Sequence, residues 1–254
     1  EQPMKDVICI LASVKPYDIS ARNTINSIIA SAAKTPEISY DILYCGASPP
    51  PDDRVIFLQD HLMNGENSAM NGSTHWGLEK GYKHFMYFSD DYVVDEEGKL
   101  FDAVHFLYSS SFENRKFKIA TLATSDDPAC FITPRLPYPH GGYPTGLPNE
   151  KPLPRHMILR FPVIHADTLK THMKGWLWHP SLSSGYADNY LGFWVGENGE
   201  PGLESPSAKL HYLANLEPFD VKIRAESTYV SRRRSSCEQA SQLMFNYVPG
   251  NDYV

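Results

Sequence analysis

The chain has 254 residues and a formal net charge of −7 at pH 7. This charge argues against general binding of nucleic acid, which needs a basic face that neutralises phosphates. Hydrophobic residues make up 42% and charged residues 21% of the chain, as in ordinary globular proteins. No apolar run approaches the roughly 20 residues needed to span a bilayer, so we expect no transmembrane segment.

The cysteines Cys9, Cys45, Cys130 and Cys237 are widely spaced and form no CxxC pair. Cys9 and Cys45 lie in apolar, strand-like runs, where a buried thiol is the ordinary interpretation. This usage fits reducing conditions, so we expect a cytoplasmic protein. A chain of this length is most simply one domain.

Strands and helices are predicted to alternate along the first half of the chain. The predicted strands are 7–11, 40–44, 55–58, 84–88 and 117–122, and the predicted helices are 20–34, 64–82 and 100–107. Ser20 is available as the cap of the first helix. Such alternation, from residue 6 to about 123, is typical of an open, largely parallel α/β sheet, which binds ligands outside the carboxyl ends of its strands.

An acidic pair, Asp90 and Asp91, directly follows the apolar run 84–88. Two like charges at the end of a buried strand repel each other and resist burial, so something must compensate them. A divalent cation is the simplest compensation, since carboxylate oxygens suit hard ions such as Mg²⁺ and Mn²⁺. The alternative is a solvated turn, in which Asp caps the helix that begins near Gly98.

Residues 126–154 are crowded with Pro and Gly. A segment of this kind within a domain is usually functional or disordered. Its aromatic residues and His140 make a wall for an acceptor substrate plausible, with a packed connector as the alternative.

The remaining elements are a strand over 157–164, a helix over 166–173, a strand around 209–213 and a terminal helix through 247. Ser235 and Glu238 have capping-box spacing for the start of this last helix. The basic run Arg232 to Arg234 then belongs to a tail, where we favour a solvated charge run over a clamp for a diphosphate.

Three short motifs belong together. Asn64 to Gly72 precedes a strand, Ser89-Asp90-Asp91 ends that strand, and Gly185 to Gly192 contains a later acidic residue. Together they resemble the GT-A-type glycosyltransferases, especially the inverting, family-2-like branch. There the corresponding segments are an Asn/Gly/Ala/Asn segment, the DxD motif and the motif of the general base. Ser89 stands in place of the first acidic residue of DxD.

The resemblance extends over about residues 6–212 and implies a GT-A, Rossmann-like, open mixed and mostly parallel sheet flanked by helices. It implies one catalytic domain, with a nucleotide-sugar-binding half over about 6–123 and an acceptor-binding half over about 124–215. A C-terminal tail and helix then occupy 216–254. The implied reaction is metal-dependent, inverting transfer of a sugar to a hydroxyl of a glycan or glycoconjugate. The expected donor is a uridine or thymidine diphosphate sugar, with UDP favoured.

Carried over residue by residue, the resemblance makes Asp91 the ligand of Mn²⁺ or Mg²⁺, with His211 as a further ligand. Asp90 would face the ribose or sugar hydroxyls, and Asp188 would take the proton of the acceptor hydroxyl. The other implied donor contacts are Ser13, Asn67 and Asn71. Relatives often have an acidic pair at the end of the second strand, where this chain has Cys45-Gly46-Ala47.

The proposed chemistry needs these residue types. A bound cation neutralises the charge that develops on a leaving diphosphate. A positioned carboxylate accelerates proton removal by roughly 10²–10⁴-fold, and inversion requires this base on the face opposite the leaving group. The alternatives are a helix N-cap or first-turn residue for Asp188 and a hydrogen-bonded core residue for His211.

Four other classes of protein are alternatives to this interpretation. A nucleotidyltransferase would have a Gly-rich phosphate loop after the first strand, which residues 11–16 lack. A phosphatase with an aspartyl nucleophile would place an acidic residue where Ser89 stands. A sugar-binding or sugar-nucleotide-binding module would not need two separate acidic motifs. A retaining GT-A enzyme would differ in lacking a dedicated base at Asp188.

Overall fold

The structure is a computed structural model that describes residues 6–59, 65–125, 131–132, 156–216, 218, 221–222 and 225–254. Most of the predicted acceptor wall over 126–154, including His140, lies outside the described residues. Asn64, the first residue of the Asn- and Gly-rich motif, also lies outside them.

The strands agree closely with the sequence-based prediction in the first half of the chain. They are β1 (Val7–Ala12), β2 (Tyr40–Gly46), β3 (Ile56–Gln59), β4 (His84–Ser89), β5 (Tyr92–Val94), β6 (Ile119–Thr124), β7 (Phe131–Ile132), β8 (His156–Met157), β9 (Pro162–His165) and β10 (Glu204–Tyr212). The helices are α1 (Ala21–Ala32), α2 (Glu66–Glu79), α3 (Asp102–Phe106), α4 (Ala166–His172), α5 (Ala187–Glu197) and α6 (Ser227–Phe245). In the part of the chain described, no helix combines the length and apolarity that crossing a bilayer requires.

Eight strands form one sheet in the order β3-β2-β1-β4-β9-β6-β10-β5, and β7 pairs separately with β8. Pairing is parallel between β1 and both β2 and β4, between β2 and β3, and between β6 and β10. β9 is antiparallel to both β4 and β6, and β5 is antiparallel to β10. The predicted class, a mixed and mostly parallel α/β sheet, is confirmed.

Hydrophobic cores cover both faces of this sheet because its strands alternate their side chains. In β1, Ile8 and Ile10 pack into a core with residues of α2, α4, α5 and α6. Val7, Cys9 and Leu11 point to the other face and pack with α1 and α3. All six residues of β1 are buried, which explains why its sequence is a continuous apolar run.

The chain reverses its direction of travel across the sheet between β1 and β4. From β1 it proceeds outward to β2 and β3, and α2 then returns it to the opposite side of β1. Ligands of open α/β sheets bind at such a switch point, outside the carboxyl ends of the strands. Because Ala12 pairs with Ser89, the residues that follow the two strands emerge side by side.

Two predicted elements were wrong in their bounds. The strand over 157–164 is divided into β8 and β9, which belong to different sheets. Pro162 has no N–H to donate and stands at the first position of β9, a place that tolerates proline.

The terminal helix begins at Ser227, eight residues before the predicted start. Ser235 and Glu238 therefore lie inside α6 and form no cap. Ser236, which follows Ser235, is buried and accepts a 2.9 Å hydrogen bond from the Ser184 N–H. Tertiary contact and the good helix propensity of arginine outweigh the capping-box spacing, so Arg232 to Arg234 are part of a helix.

Candidate functional site

A cavity of about 530 Å³ lies at the carboxyl edge of β1 and β4, and we call it the first cavity. This volume is within the range of about 300–1,000 Å³ that is typical of small-molecule sites. Its walls come from the ends of β1, β2 and β4, the start of α2, and α6. The lining residues with polar or ionisable side chains include Ser13, Lys15, Cys45, Glu66, Asp90, Asp91 and Arg232.

Asp90 is held by a buried polar network at the floor of this cavity. Lys15 Nζ lies 2.8 Å from Asp90 Oδ1, and the two side chains are only 7% and 8% exposed. The hydroxyl of Ser13 donates to Asp90 Oδ2, and that of Ser20 donates to the same oxygen at 3.3 Å. Lys15 therefore supplies, for Asp90, the compensating charge that the sequence had led us to assign to a cation.

Ser20 occupies the N-cap position of α1, as predicted. Its side chain, however, makes no cap hydrogen bond and is directed to Asp90. A buried carboxylate needs several donors, and this requirement overrides the local preference of serine for a helix end.

A second cavity of about 380 Å³ adjoins the first. Glu66, Ser89 and Asp91 line both cavities and so form their shared wall. Asp91 accepts a hydrogen bond from the hydroxyl of Ser89, and its backbone carbonyl accepts one from the Leu213 N–H at 2.7 Å. The DxD-like segment thus stands between two adjoining cavities, with Asp91 in contact with both.

Asp188 lies in the second cavity, in the first turn of α5. Gly185 and Tyr186 precede the helix with φ of 70° and 57°. A left-handed backbone is uncommon for a residue with a side chain, and such strain is concentrated at functional sites. These two residues turn the chain so that the helix start, with Asp188, opens on the cavity.

Burial raises the pKa of Asp188, an effect that the nearby Arg160 and Arg233 oppose. Its Oδ1 accepts a 2.9 Å hydrogen bond from the N–H of Asn189. A carboxylate with raised proton affinity in a cavity is a good candidate for a general base.

Glu66, the first residue of α2, is a site residue that the sequence analysis missed. Although its side chain is accessible from the cavity, the surrounding protein desolvates it, and Asp90 and Asp91 add negative charge nearby. Burial and these two carboxylates raise the pKa of Glu66 to about 8. At neutral pH Glu66 is therefore mainly protonated, and a cation bound beside the shared wall would favour its ionised form.

Asn67 and Asn71 connect α2 to the segment over 178–182. The Asn67 amide donates to the Leu182 carbonyl at 2.8 Å, although Asn67 also lines the second cavity. Asn71 donates to the Trp178 carbonyl and accepts from the Trp178 N–H, both at 2.9 Å. Both polar groups of the Asn71 side chain pair with the backbone, and Asn71 lines neither cavity. Its donor contact therefore remains only a sequence-based assignment.

His211 is exposed on β10, opposite Val93 of β5. It is not among the described residues that line the two cavities. Within the described parts of the chain, no three His, Cys, Asp and Glu side chains are grouped to hold a metal ion. A cation at Asp91 would therefore need other ligands, such as phosphate oxygens, and His211 remains only a sequence-based assignment.

Comparison with known proteins gives structural likeness only. No family model matches the sequence, and no curated protein matches it. S. aureus TarS 1–349, solved in complex with UDP, superimposes with a TM-score of 0.51 at 12% identity, over 97% of this chain and 73% of that chain. GalNAc-T7, solved with UDP, GalNAc and Mn²⁺, gives 0.53 at 10% identity, over 84% of this chain and 44% of that chain. These likenesses confirm the predicted GT-A, Rossmann-like fold.

Proposed function

We propose that this chain is a glycosyltransferase that moves a sugar from a nucleoside-diphosphate sugar, with UDP as the nucleotide, to a hydroxyl of a glycan or glycoconjugate. One observation carries the proposal. Two cavities meet across Ser89-Asp90-Asp91 at the switch point of a GT-A fold, and Asp188 opens on the second of them. TarS and GalNAc-T7 were both solved with UDP, which supports a uridine nucleotide.

The first cavity is the proposed donor site. The loop after β1, with Ser13 and Lys15, forms one wall of it, and Cys45 at the end of β2 forms another. Asp90 orders the loop through its bonds to Ser13 and Lys15. We assign Ser13 a donor contact, and Asp90 the role of holding the loop in place beside the donor.

A divalent cation, Mn²⁺ or Mg²⁺, fits this site if phosphate oxygens of the donor supply its remaining ligands. Mg²⁺ is commonly held by one or two carboxylates together with substrate phosphates, and Asp91 is the carboxylate that borders both cavities. When bound, the cation would neutralise charge on the leaving diphosphate as a Lewis acid. GalNAc-T7 was solved with Mn²⁺, which supports this choice of metal.

The charges of the first cavity favour such a cation. Its lining contains the acidic residues Asp90, Asp91 and Glu226, and also Glu66, which its raised pKa of about 8 keeps mainly protonated at neutral pH. The basic residues among the described lining are Lys15 and Arg232. Lys15 is already paired with Asp90. A diphosphate entering this acidic site would meet repulsion unless further positive charge accompanied it.

The second cavity is the proposed acceptor site, and Asp188 is its general base. Asp188 takes the proton from the acceptor hydroxyl, whose oxygen forms a bond to the anomeric carbon of the donor sugar. The bond from this carbon to the diphosphate oxygen breaks, and the nucleoside diphosphate leaves with the electron pair. Attack from the acceptor side, opposite the leaving group, inverts the anomeric configuration.

Isothermal titration of UDP in the presence and absence of Mn²⁺ tests the proposal. We expect saturable binding that chelation abolishes and that Asp91→Asn weakens. Asp167→Asn, on the exposed first turn of α4, removes the same charge away from the cavities and should bind like the wild type. Equal binding with and without metal would remove the role of Asp91 as ligand. A wild-type protein that binds no nucleotide would remove the proposed function.

A further inference from the structure

The arginine run of α6 divides into three different environments. Arg232 lines the first cavity, Arg233 lines the second, and Arg234 pairs with Glu238 on the outer surface at 3.3 Å. Neighbouring residues on a helix point about 100° apart, so three consecutive side chains cannot share one surface. A solvated charge run would not place two of its three members at cavities.

The helix that carries the arginines is anchored to the core. Cys237, Ala240 and Met244 on its inner side are buried, as is Ser236. After the helix, the buried Tyr253 donates through its hydroxyl to the Leu177 carbonyl at 2.8 Å. The arginines are therefore presented from a fixed element.

Arg232 and Arg233 each lie beside a glycine at the edge of a cavity. A Cβ atom on Gly65, which precedes α2 with φ of 100°, would lie 2.5 Å from the Ser183 carbonyl oxygen and 4.0 Å from Arg232 Nη1. A Cβ atom on Gly185 would lie 3.9 Å from Arg233 Nη1, an ordinary van der Waals contact. Arg233 also donates to the Tyr229 hydroxyl at 2.9 Å and lies over the Tyr186 ring at 5.5 Å. Arg233 thus supports the turn before Asp188, whereas Arg232 reaches the start of α2.

We infer that Arg232 binds the diphosphate of the donor, so that α6 completes the donor site. The inference rests on the proposed function. The two basic residues among the described lining of the first cavity are Arg232 and Lys15, and the buried Lys15 already balances Asp90. Thr228 lies one turn before Arg232 on the same face of α6 and lines the same cavity. A guanidinium group suits phosphate because it donates two parallel hydrogen bonds.

The test compares UDP with uridine, which lacks the phosphates, in calorimetric titrations with Mn²⁺. Arg232→Ala should weaken UDP binding roughly 10- to 100-fold, the scale for losing hydrogen bonds to a charged group, and should leave uridine binding unchanged. Arg232→Lys should recover part of the affinity. Arg234→Ala, which removes an arginine from the outer surface of the same helix, should bind both ligands like the wild type.

Each contrary result has a distinct meaning. Equal UDP affinity in Arg232→Ala and Arg234→Ala overturns the inference. An equal loss of uridine and UDP binding in Arg232→Ala also overturns it, because Arg232 would then act on the nucleoside or on the shape of the cavity. If the wild type binds neither ligand, the proposed function fails and this inference fails with it. If the wild type binds UDP and Arg232→Ala binds it equally well, this inference fails but the proposed function stands. Because Arg232 is exposed, the variants should melt at the wild-type temperature.

Discussion

Asp90 and Asp188 are carboxylates at two adjoining cavities, but the fold treats them in opposite ways. Asp90 receives Lys15 and two hydroxyl donors within a buried network. Asp188 receives a backbone N–H, and its burial raises its pKa. The first arrangement surrounds a carboxylate with a cation and hydroxyl donors, whereas the second favours uptake of a proton. We propose on this ground that Asp90 organises the donor loop and that Asp188 transfers the proton.

The largest effect should come from breaking the Asp90 network. Lys15→Met leaves a buried carboxylate without its cation, which typically costs about 3–5 kcal/mol of unfolding free energy. Denaturant unfolding measures this loss, and Lys99→Met, at an exposed position, should cost little. Adding Asp90→Asn to Lys15→Met should recover part of the stability. Purely additive losses would show that the two side chains do not form the pair described.

The next effect concerns the rate of transfer. Asp188→Asn is nearly isosteric and should retain UDP binding while losing roughly 10²-fold or more in rate, the usual scale for a positioned base. Release of UDP from a donor to water provides a readout that needs no acceptor. Asp167→Asn occupies the same second position of a helix and should keep the wild-type rate. A near-wild-type rate in Asp188→Asn would end its assignment as the base.

A smaller effect distinguishes two roles of Ser20. Ser20→Ala removes the hydroxyl bond to Asp90 and should cost about 1 kcal/mol of unfolding free energy. The cost should shrink when Asp90 is already Asn, because the interaction partner has then lost its charge. If the Ser20 side chain instead capped α1, Ser20→Ala would cost the same unfolding free energy in the wild type and in Asp90→Asn. An unchanged cost would therefore support the capping role.

The smallest expected effect is a pH dependence of stability. Because the pKa of Asp188 is higher in the folded state than in the unfolded chain, its ionisation destabilises the fold. Asp188→Asn should therefore gain unfolding free energy relative to the wild type as pH rises from about 3.9, the ordinary aspartate value, through the raised folded pKa. Above that pKa the gain should be constant. A difference that narrows with rising pH would contradict the sign of the shift.

Much of the fold could be predicted because it depends on local patterns. The buried run of β1 and the alternation of strands and helices indicate the sheet, and the position of Asp90 and Asp91 after β4 indicates its binding edge. The salt bridge between Lys15 and Asp90 could not be predicted in this way. It depends on β4 lying beside β1, and a sequence with several similar strands does not state their order.

The start of the C-terminal helix was predicted wrongly for the opposite reason, because a local sequence pattern there was misleading. Ser235 and Glu238 have the spacing of a cap, but the helix propensity of the three arginines before them favours continuation of α6 back to Ser227. Glu66 was missed for a related reason. An acidic residue in a first helical turn is usually explained by the helix dipole, and only the structure shows two aspartates beside it.

The anomeric configuration of the released sugar tests the proposed inverting mechanism most directly, because it shows on which side of the sugar ring the base acts. A panel of UDP-linked α-hexoses can be incubated with the protein and Mn²⁺. Proton NMR then follows the anomer of the sugar that is first released to water, before mutarotation. We predict the β-anomer as the first product in the wild type, and its loss in Asp188→Asn. Release of the α-anomer would contradict inversion and would support a retaining enzyme without a base at Asp188.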